Sequence, residues 1–194
     1  DHKGKNFLIA GAAGFVPSTV AQLYLDKGAT VYGLDNFITG SKSNIELLSK
    51  YENFHFTECD ITHGLPDFGD IKFDYILSLA SPASPIDFKV IPLEIMTVNS
   101  IGTQNLLELA KDHGARFLEA STSEVYGTAQ YIPINEDHPK QPQSPYSASK
   151  IGADSIADSF YRSFNMPITI VRPFNTYGPR QSSRAIIPTI ISQI

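Results

Sequence analysis

A tyrosine and a lysine four positions apart carry the clearest chemical signal in this sequence: Tyr146 and Lys150, within residues 144–150. On an α-helix, side chains at this spacing lie on one face. An ammonium group close to a phenol favours the phenolate and lowers its pKa. The pair is therefore expected to act as a general base that takes a proton from an alcohol near neutral pH. A solvated helix face carries the same spacing, so the pair needs support from other segments.

Upstream, residues 121–124 (Ser-Thr-Ser-Glu) contain a hydroxyl and a carboxylate two positions apart, Thr122 and Glu124. Alternate residues of a β-strand project on the same side, so both side chains are expected to point into one pocket. Two other interpretations stay open. Thr122 could reflect only the strand preference of β-branched residues, and Glu124 could cap the turn that follows.

A glycine-rich turn lies near the start of the chain, with Gly11 and Gly14 between a predicted strand and a predicted helix. Backbone amides at such a helix N-terminus bind pyrophosphate, and glycines allow its close approach. Pro17 stands where the usual pattern has a third glycine. Proline is tolerated in the first helical turn, but its ring is bulkier than glycine at a close helix–strand contact. A glycine-rich turn without a ligand is the alternative.

Acidic residues follow the second and third predicted strands. Asp35 lies 21 residues beyond Gly14. A carboxylate at this place accepts hydrogen bonds from both hydroxyls of an adenosine ribose and repels a 2′-phosphate, which favours NAD over NADP. Asp60 and Ile61 could reach the adenine. As alternatives, Asp35 could be a simple turn residue and Asp60 a helix cap.

Short apolar runs alternate with amphipathic segments, which predicts an α/β fold: a Rossmann-type doubly wound parallel sheet with helices on both faces. Helices are expected at about 15–27, at 93–113, where Gly114 ends the helix, and from Tyr146 through Phe164. Each polar segment described above follows a strand, and ligands bind at the carboxyl ends of the strands in such sheets. The predicted strands are 6–10, 30–34, 53–57, 75–79, 116–120 and 168–171.

Composition excludes several functions. The formal charge is −5, and no Lys/Arg run provides a nucleic-acid surface. Apolar stretches are strand-sized, so no membrane span is predicted. The single cysteine, Cys59, fits a reducing compartment, and we expect a cytoplasmic protein. The five histidines show no ligand-like spacing, so no metal site is expected.

Two segments stand apart from the alternating pattern. Residues 128–145 are polar and contain four prolines, as expected of a functional loop or of a surface excursion. The apolar segment 185–194 would need a surface to cover it, so the sequence is expected to be incomplete. We expect an NAD-binding domain at 1–180 and the start of a truncated C-terminal substrate-binding domain at 181–194.

The chain resembles the extended short-chain dehydrogenase/reductase family, in particular enzymes that modify nucleotide-diphosphate sugars. Residues 1–127 resemble UDP-glucuronate decarboxylases, through segments 35–42, 79–85 and 120–127. Residues 128–194 are similar to NAD-dependent nucleotide-sugar 4,6-dehydratases, through segments 145–150 and 172–180.

The resemblance extends these assignments residue by residue. The catalytic group is Tyr146, Lys150, Thr122 and Glu124. The NAD-binding group is Gly11, Gly14, Phe15, Val16, Asp35, Asn36, Phe37, Thr39, Gly40, Asp60, Ile61, Leu79, Ala80, Ser81, Tyr146 and Lys150. The substrate-binding group is Ser84, Ser123, Asn175 and Arg180.

The resemblance implies that Tyr146 deprotonates a sugar 4-hydroxyl while hydride passes to NAD⁺, and that the 4-keto sugar then loses CO₂ or water. Ser123 stands where many dehydratases carry an aspartic acid, which favours decarboxylation of UDP-glucuronate. A 4,6-dehydratase or 4-epimerase is the enzymatic alternative. The third hypothesis is a non-catalytic NAD-binding fragment or an engineered mosaic. The resemblance also implies a UDP-sugar ligand and a homodimer formed through helices 93–113 and 146–165.

Overall fold

The structure is a computed structural model, and it describes residues 2–194. Its centre is a parallel sheet of six strands in the order β3-β2-β1-β4-β5-β6. This is the strand order of the Rossmann fold, so the predicted fold class is confirmed. The strands are β1 (Asn6–Ala10), β2 (Thr30–Asp35), β3 (Phe54–Glu58), β4 (Tyr75–Ser78), β5 (Arg116–Ala120) and β6 (Ile168–Val171).

Both faces of the sheet are covered, so its central strands are apolar on both sides. In β1, Leu8 faces a core that includes Leu106, and Phe7 and Ile9 face another that includes Leu25. The helices are α1 (Phe15–Asp26), α2 (Lys42–Leu48), α3 (Asp87–Val90), α4 (Pro92–Thr97), α5 (Thr103–His113), α6 (Pro145–Phe164) and α7 (Ile186–Ile191).

The helix predicted at 93–113 is interrupted. A π-helical turn, Val98–Gly102, joins α4 to α5. Gly102 packs against Ile61 so closely that a Cβ atom would lie 2.9 Å from the Ile61 Cδ1 atom. The wider turn carries Asn99 toward the sheet, where its amide donates to the Ser81 hydroxyl at 3.0 Å. Gly114 ends α5 in the left-handed conformation, as predicted.

Local sequence sets the start of α6, the helix that bears Tyr146. Ser144 and Ser147 form a reciprocal capping box, and Pro145 occupies the first helical position, where a missing N–H costs nothing. Asn165 ends the helix with φ 53°. Tyr146 is therefore held in the first turn, close to the loop that precedes it.

That preceding loop, residues 128–144, contains no helix or strand but is tied to the fold at its base. The Gln141 amide donates to the Val125 carbonyl at 2.9 Å, and the buried His138 ring accepts from the Gln130 amide at 3.0 Å. Gly127 has no space for a side chain, because a Cβ atom would lie 2.2 Å from the Gln141 carbonyl oxygen. The loop is thus an exposed excursion with an anchored stem that leads directly to α6.

Candidate active site

A cleft of about 1500 Å³ runs along the carboxyl ends of the strands. It brings together all but one of the side chains that sequence reasoning selected. Phe37 is the exception, because its ring packs toward Phe56 at a centroid distance of 5.4 Å and does not line the cleft. The selected residues that line it are Gly11, Gly14, Phe15, Val16, Asp35, Asn36, Thr39, Gly40, Asp60, Ile61, Leu79, Ala80, Ser81, Ser84, Thr122, Ser123, Glu124, Tyr146, Lys150, Asn175 and Arg180.

Tyr146 and Lys150 both lie on the buried face of α6, but their electrostatics differ from the prediction. The Lys150 ammonium pairs with the Glu119 carboxylate of β5, with Nζ and Oε1 separated by 3.3 Å. The pKa of Tyr146 is raised in this structure, whereas a lowered pKa was expected. Burial raises the pKa of the phenol to about 12, and the Lys150 ammonium is not among the leading influences on it.

The immediate surroundings of the phenol explain the direction of this shift. Burial disfavours the phenolate, and the negative charges of Glu124 and Glu119 act in the same direction. A hydrogen bond with the Thr122 hydroxyl opposes them. The Phe88 ring stacks on the Tyr146 ring at 5.1 Å and fixes its plane. Tyr146 is therefore positioned as a base but is protonated in the free protein at neutral pH.

The expected strand geometry of Thr122 and Glu124 is also wrong. β5 ends at Ala120, and Ser123–Tyr126 form a 3₁₀ turn. Thr122 caps this turn, because its hydroxyl accepts the Glu124 amide at 3.2 Å. Both side chains still line the cleft. Burial raises the pKa of the Glu124 carboxyl, which makes it a better proton carrier near neutral pH than an exposed glutamate.

The glycine-rich turn offers an anion site in the same cleft. Phe15 and Val16 are the first two residues of α1, so their N–H groups have no intrahelical acceptor and remain available to a ligand. Pro17 follows them, buried in the first turn, with ring atoms 3.3 Å from where a Gly14 Cβ atom would be. The proline fits beside Gly14 and removes only an N–H that the helix does not use.

Gly11 allows the turn to approach the neighbouring strand. Its φ is +83°, and a Cβ atom there would lie 2.8 Å from the Ala80 Cα atom. We expect Gly11→Ala to destabilise the protein by more than the roughly 1–2 kcal/mol that a left-handed alanine costs. Gly4→Ala is the matched control, because Gly4 has φ +71° and nothing within 4 Å. Urea denaturation measures both losses, and equal losses would show that the contact with Ala80 is unimportant.

Asp35 has the geometry of a ribose ligand. Its two carboxylate oxygens accept the Ala13 amide at 3.0 Å and the Phe37 amide at 2.7 Å. Each oxygen retains a second lone pair for a ribose hydroxyl. Gly40 keeps this carboxylate accessible, because a Cβ atom there would lie 2.8 Å from Asp35 Oδ1.

The remaining adenosine-side residues form a small network. The Asn36 amide donates to the Asp60 carboxylate at 3.1 Å. Asp60 in turn accepts the Thr62 amide at 2.9 Å, so it caps a turn rather than a helix, and it still borders the cleft.

The part of the cleft lined by residues 180–187 and Asp87 is polar and incompletely paired. Arg184 donates to Asp87 across the opening, with Nη1 and Oδ1 separated by 2.6 Å. Arg180 donates to the Gln22 side chain and retains an unpaired buried Nη1 atom. Asp87 Oδ2, Ser121 Oγ and Gln181 Oε1 are also buried without hydrogen-bond partners among residues 2–194. Because such groups are costly unless they are paired, this part of the cleft suits a polar ligand.

Sequence reasoning missed five residues around the cleft: Phe88, Asp87, Arg184, Asn99 and Glu119. Phe88, Asp87 and Arg184 make contacts with residues that are distant in the sequence, and periodicity does not reveal such contacts. Asn99 could have been found as a polar residue inside an otherwise apolar helix face. Glu119 could have been found in the same way, since it is a carboxylate within the predicted strand Arg-Phe-Leu-Glu-Ala.

Residues 2–194 contain no cluster of three or more histidine, cysteine, aspartate or glutamate side chains arranged to hold a metal ion. None of the helices described has the length and apolar character needed to cross a membrane.

Comparison with known sequences supports one family. The model of the GDP-mannose 4,6-dehydratase family matches residues 8–194. The chain is 39% identical over 181 residues to UDP-glucuronic acid decarboxylase 1 of Danio rerio, covering 91% of this chain and 42% of that protein. It is 38% identical over 183 residues to UDP-glucuronic acid decarboxylase 2 of Arabidopsis thaliana, covering 92% and 40%. The chain thus spans less than half the length of these relatives.

Solved structures support the same family. The UDP-glucuronic acid 4-epimerase of Bacillus cereus, solved with UDP-glucuronic acid and NAD, is 30% identical with a TM-score of 0.85, over 97% of this chain and 62% of that one. The dTDP-glucose 4,6-dehydratase of Bacillus anthracis, solved with NAD, is 28% identical with a TM-score of 0.83, over 98% and 61%. With the cleft, the glycine-rich turn and the Tyr146–Lys150 pair, these matches show that the chain belongs to the GDP-mannose 4,6-dehydratase family, in the nucleotide-sugar branch of the extended short-chain dehydrogenases/reductases.

Proposed function

We propose that this chain provides the cofactor site and the general base of an NAD-dependent UDP-glucuronate decarboxylase. One observation carries the proposal: Tyr146, Thr122 and Glu124 line the same cleft as the Gly11–Gly14 turn and Asp35. A sugar hydroxyl at Tyr146 can therefore lie in the same space as a dinucleotide that begins at the glycine turn. The similarity to UDP-glucuronic acid decarboxylases supports this choice of reaction.

The residues present fit NAD. The free amides of Phe15 and Val16 would hold the pyrophosphate, Asp35 the adenosine ribose, and Lys150 the nicotinamide ribose. When bound, NAD would supply reversible hydride transfer at C4 of the sugar. The carboxylate of Asp35 disfavours a 2′-phosphate at the same place, which supports NAD over NADP.

The chain's own groups would move protons. Tyr146, as the phenolate, takes the proton of the 4-hydroxyl and becomes a phenol, and the Thr122 hydroxyl stabilises the phenolate before this transfer or hydrogen-bonds to the reacting oxygen. The 4-keto sugar is then a β-keto acid, which loses its C6 carboxylate as CO₂ and leaves an enolate across C4 and C5. Glu124, whose pKa is raised by burial, would donate the proton that C5 then needs. Tyr146 finally returns its proton to the C4 oxygen, which restores the hydroxyl.

We assign residues 1–180 to cofactor binding and 181–194 to the start of the substrate-binding region. Asn175 and Arg180 would meet the nucleotide phosphates, with Ser84 and Ser123 closer to the sugar. The unpaired Nη1 atom of Arg180 supports this, because an anion would satisfy it.

A homodimer in the cytoplasm completes the proposal. Exposed apolar side chains on the helical segments 92–102 and 145–164 support a dimer contact there, among them Leu93, Ile101 and Phe164. The single cysteine supports a reducing compartment.

A dehydratase is the second candidate, favoured by the family model and by the Bacillus anthracis neighbour. In that reaction Glu124 would remove H5, and water would be eliminated across C5 and C6. A 4-epimerase, favoured by the Bacillus cereus neighbour, would return hydride to the other face of C4 without either loss.

Incubation of the protein with NAD and UDP-glucuronate tests these reactions. We expect CO₂ release and a UDP-pentose, both detected by mass spectrometry. A 4-keto-6-deoxy product from a sugar with CH₂OH at C5 would instead identify a dehydratase, and UDP-galacturonate without CO₂ would identify an epimerase. Bound NAD without any product from these sugars would identify a non-catalytic module.

A further inference from the structure

A buried ion pair lies next to the cleft but outside its lining. Asp154 of α6 is 2% exposed, and its Oδ2 atom accepts the Arg172 guanidinium through Nε at 3.2 Å and Nη2 at 2.8 Å. The Lys140 ammonium, from the loop before α6, is 3.6 Å from the same oxygen. Asp154 Oδ1 is buried without a hydrogen-bond partner among residues 2–194. Because a buried carboxylate is costly without a counter-charge, the Arg172 guanidinium is held firmly at this place.

Arg172 also binds the 3₁₀ turn that carries Glu124. Its Nη1 atom donates to the Tyr126 hydroxyl at 3.1 Å, and its guanidinium lies over the Tyr126 ring, 5.5 Å from the centroid. Tyr126 is 3% exposed and is the last residue of the turn Ser123–Tyr126. Because the guanidinium is a rigid, planar fork, fixing one side of it on Asp154 also fixes the side that meets Tyr126. A single side chain therefore connects α6 to this turn.

The backbone of Arg172 leads directly into the segment that contains Asn175. Arg172 follows the last residue of β6, and residues 173–177 line the cleft. The Pro173 carbonyl accepts the Ser123 amide at 3.1 Å, so this segment and the 3₁₀ turn are in direct contact. The position of Arg172 therefore affects two parts of the cleft at once, the turn with Glu124 and the segment with Asn175.

We propose that Asp154 is a positioning residue: by holding Arg172, it sets the placement of Glu124 relative to Asn175. The proposal rests on the proposed function, in which Glu124 serves C5 of the sugar and Asn175 meets the nucleotide phosphates. Asp154, Arg172 and Tyr126 lie outside the cleft lining, so they act through other residues. Proton transfer to C5 needs a substrate that is anchored in register with Glu124, and a misplacement of about 1 Å can cost about 10²-fold in rate.

Hydrogen exchange of the free protein, followed by mass spectrometry, tests the proposal without any turnover. We expect Asp154→Asn to raise amide exchange about tenfold or more in residues 123–127 and 173–180 together, because both lose a charged hydrogen-bond anchor. Tyr126→Phe removes only the hydroxyl that accepts from Arg172, so exchange should rise in 123–127 alone. Exchange in β1 should stay as in the wild type in both variants.

Asp158→Asn is the matched control for the loss of charge. Asp158 lies one turn beyond Asp154 on α6 and pairs with Arg162 at 2.6 Å on the exposed side of the helix. This variant should leave exchange unchanged in both segments. Wild-type exchange at 123–127 and 173–180 in folded Asp154→Asn would overturn the proposal. A rise spread equally over the whole chain would also overturn it, because it would show a general loss of stability.

Kinetics with NAD and UDP-glucuronate separate the two branches of the network. Asp154→Asn should lower kcat for CO₂ release by about 10²-fold and raise KM, because Glu124 and Asn175 both lose their placement. Tyr126→Phe should lower kcat and leave KM near the wild-type value, because the Asn175 segment keeps its anchor. An equal rise of KM in both variants would overturn the proposal. Exchange is measured without a sugar, so it decides the role of Asp154 even if the wild type releases no CO₂ and the proposed function fails.

Discussion

Tyr146→Phe is expected to lower kcat for CO₂ release from UDP-glucuronate by about 10²–10⁴-fold, the range for loss of a general acid–base group. The substitution removes only the hydroxyl, because the phenylalanine ring can keep the stacking position against Phe88. Binding of NAD should change little, since the pyrophosphate and the adenosine ribose are assigned to other residues, Phe15, Val16 and Asp35. The assay is CO₂ release with NAD supplied, and isothermal titration with NAD verifies the cofactor site.

Tyr161→Phe is the matched control for this loss. Tyr161 lies on the same helix but is 51% exposed and does not line the cleft. The substitution Tyr161→Phe should leave kcat and NAD affinity unchanged. If Tyr146→Phe retains wild-type turnover, another group takes the proton, and the assignment of Tyr146 as the base fails.

Lys150→Met is expected to have the largest effect on folding, a loss of about 3–5 kcal/mol in the free energy of unfolding at neutral pH. Breaking a buried ion pair on one side leaves an uncompensated charge, here on Glu119, which has no exposed surface. The double variant Lys150→Met/Glu119→Met should recover most of the loss, because it replaces both charges with apolar side chains. Urea denaturation of the wild type, both single variants and the double variant forms the thermodynamic cycle.

The loss of unfolding free energy in Lys150→Met should depend on pH in a defined direction. Burial raises the pKa of Glu119 in the folded protein, and Lys150 is the first of the groups that oppose this shift. Without Lys150, the folded state favours the protonated carboxyl more strongly than the unfolded state does. The stability of Lys150→Met should therefore be highest below the unfolded pKa of glutamate and should fall as the pH rises through the folded pKa. A loss that is equal at acidic and neutral pH would contradict a buried charge at Glu119.

Much of the architecture follows from local sequence. The runs Asn6–Ala10 and Ile168–Val171 are strands at the predicted bounds, since both are short apolar segments between turn residues; β1 is buried on both faces, whereas the edge strand β6 is partly exposed. Gly114 and the Ser144-Pro145 start of α6 mark helix ends through backbone chemistry that depends on immediate neighbours. Because all the strands are parallel, their carboxyl ends lie at one edge of the sheet. The predicted segments that follow these strands therefore line one cleft.

What the sequence could not determine depends on contacts between distant segments. The predicted helix at 93–113 gave no sign of the π-helical turn, because Gly102 packs against Ile61, 41 positions earlier. One miss is local: the Thr122 hydroxyl accepts the Glu124 amide and caps a 3₁₀ turn, where the spacing of the two residues had suggested strand geometry. Phe37 turns away from the cleft toward Phe56, a residue of the neighbouring strand.

The sequence by itself determined the apolar runs that become strands, the glycine-rich turn, Asp35 and the shared helical face of Tyr146 and Lys150. Each of these depends on periodicity or on neighbours within a few residues. Only the tertiary structure decided the electrostatics of the base. Packing α6 on β5 brings Lys150 to Glu119 and buries the phenol, and a pKa depends on every charge and on all the solvent that the fold removes or leaves nearby.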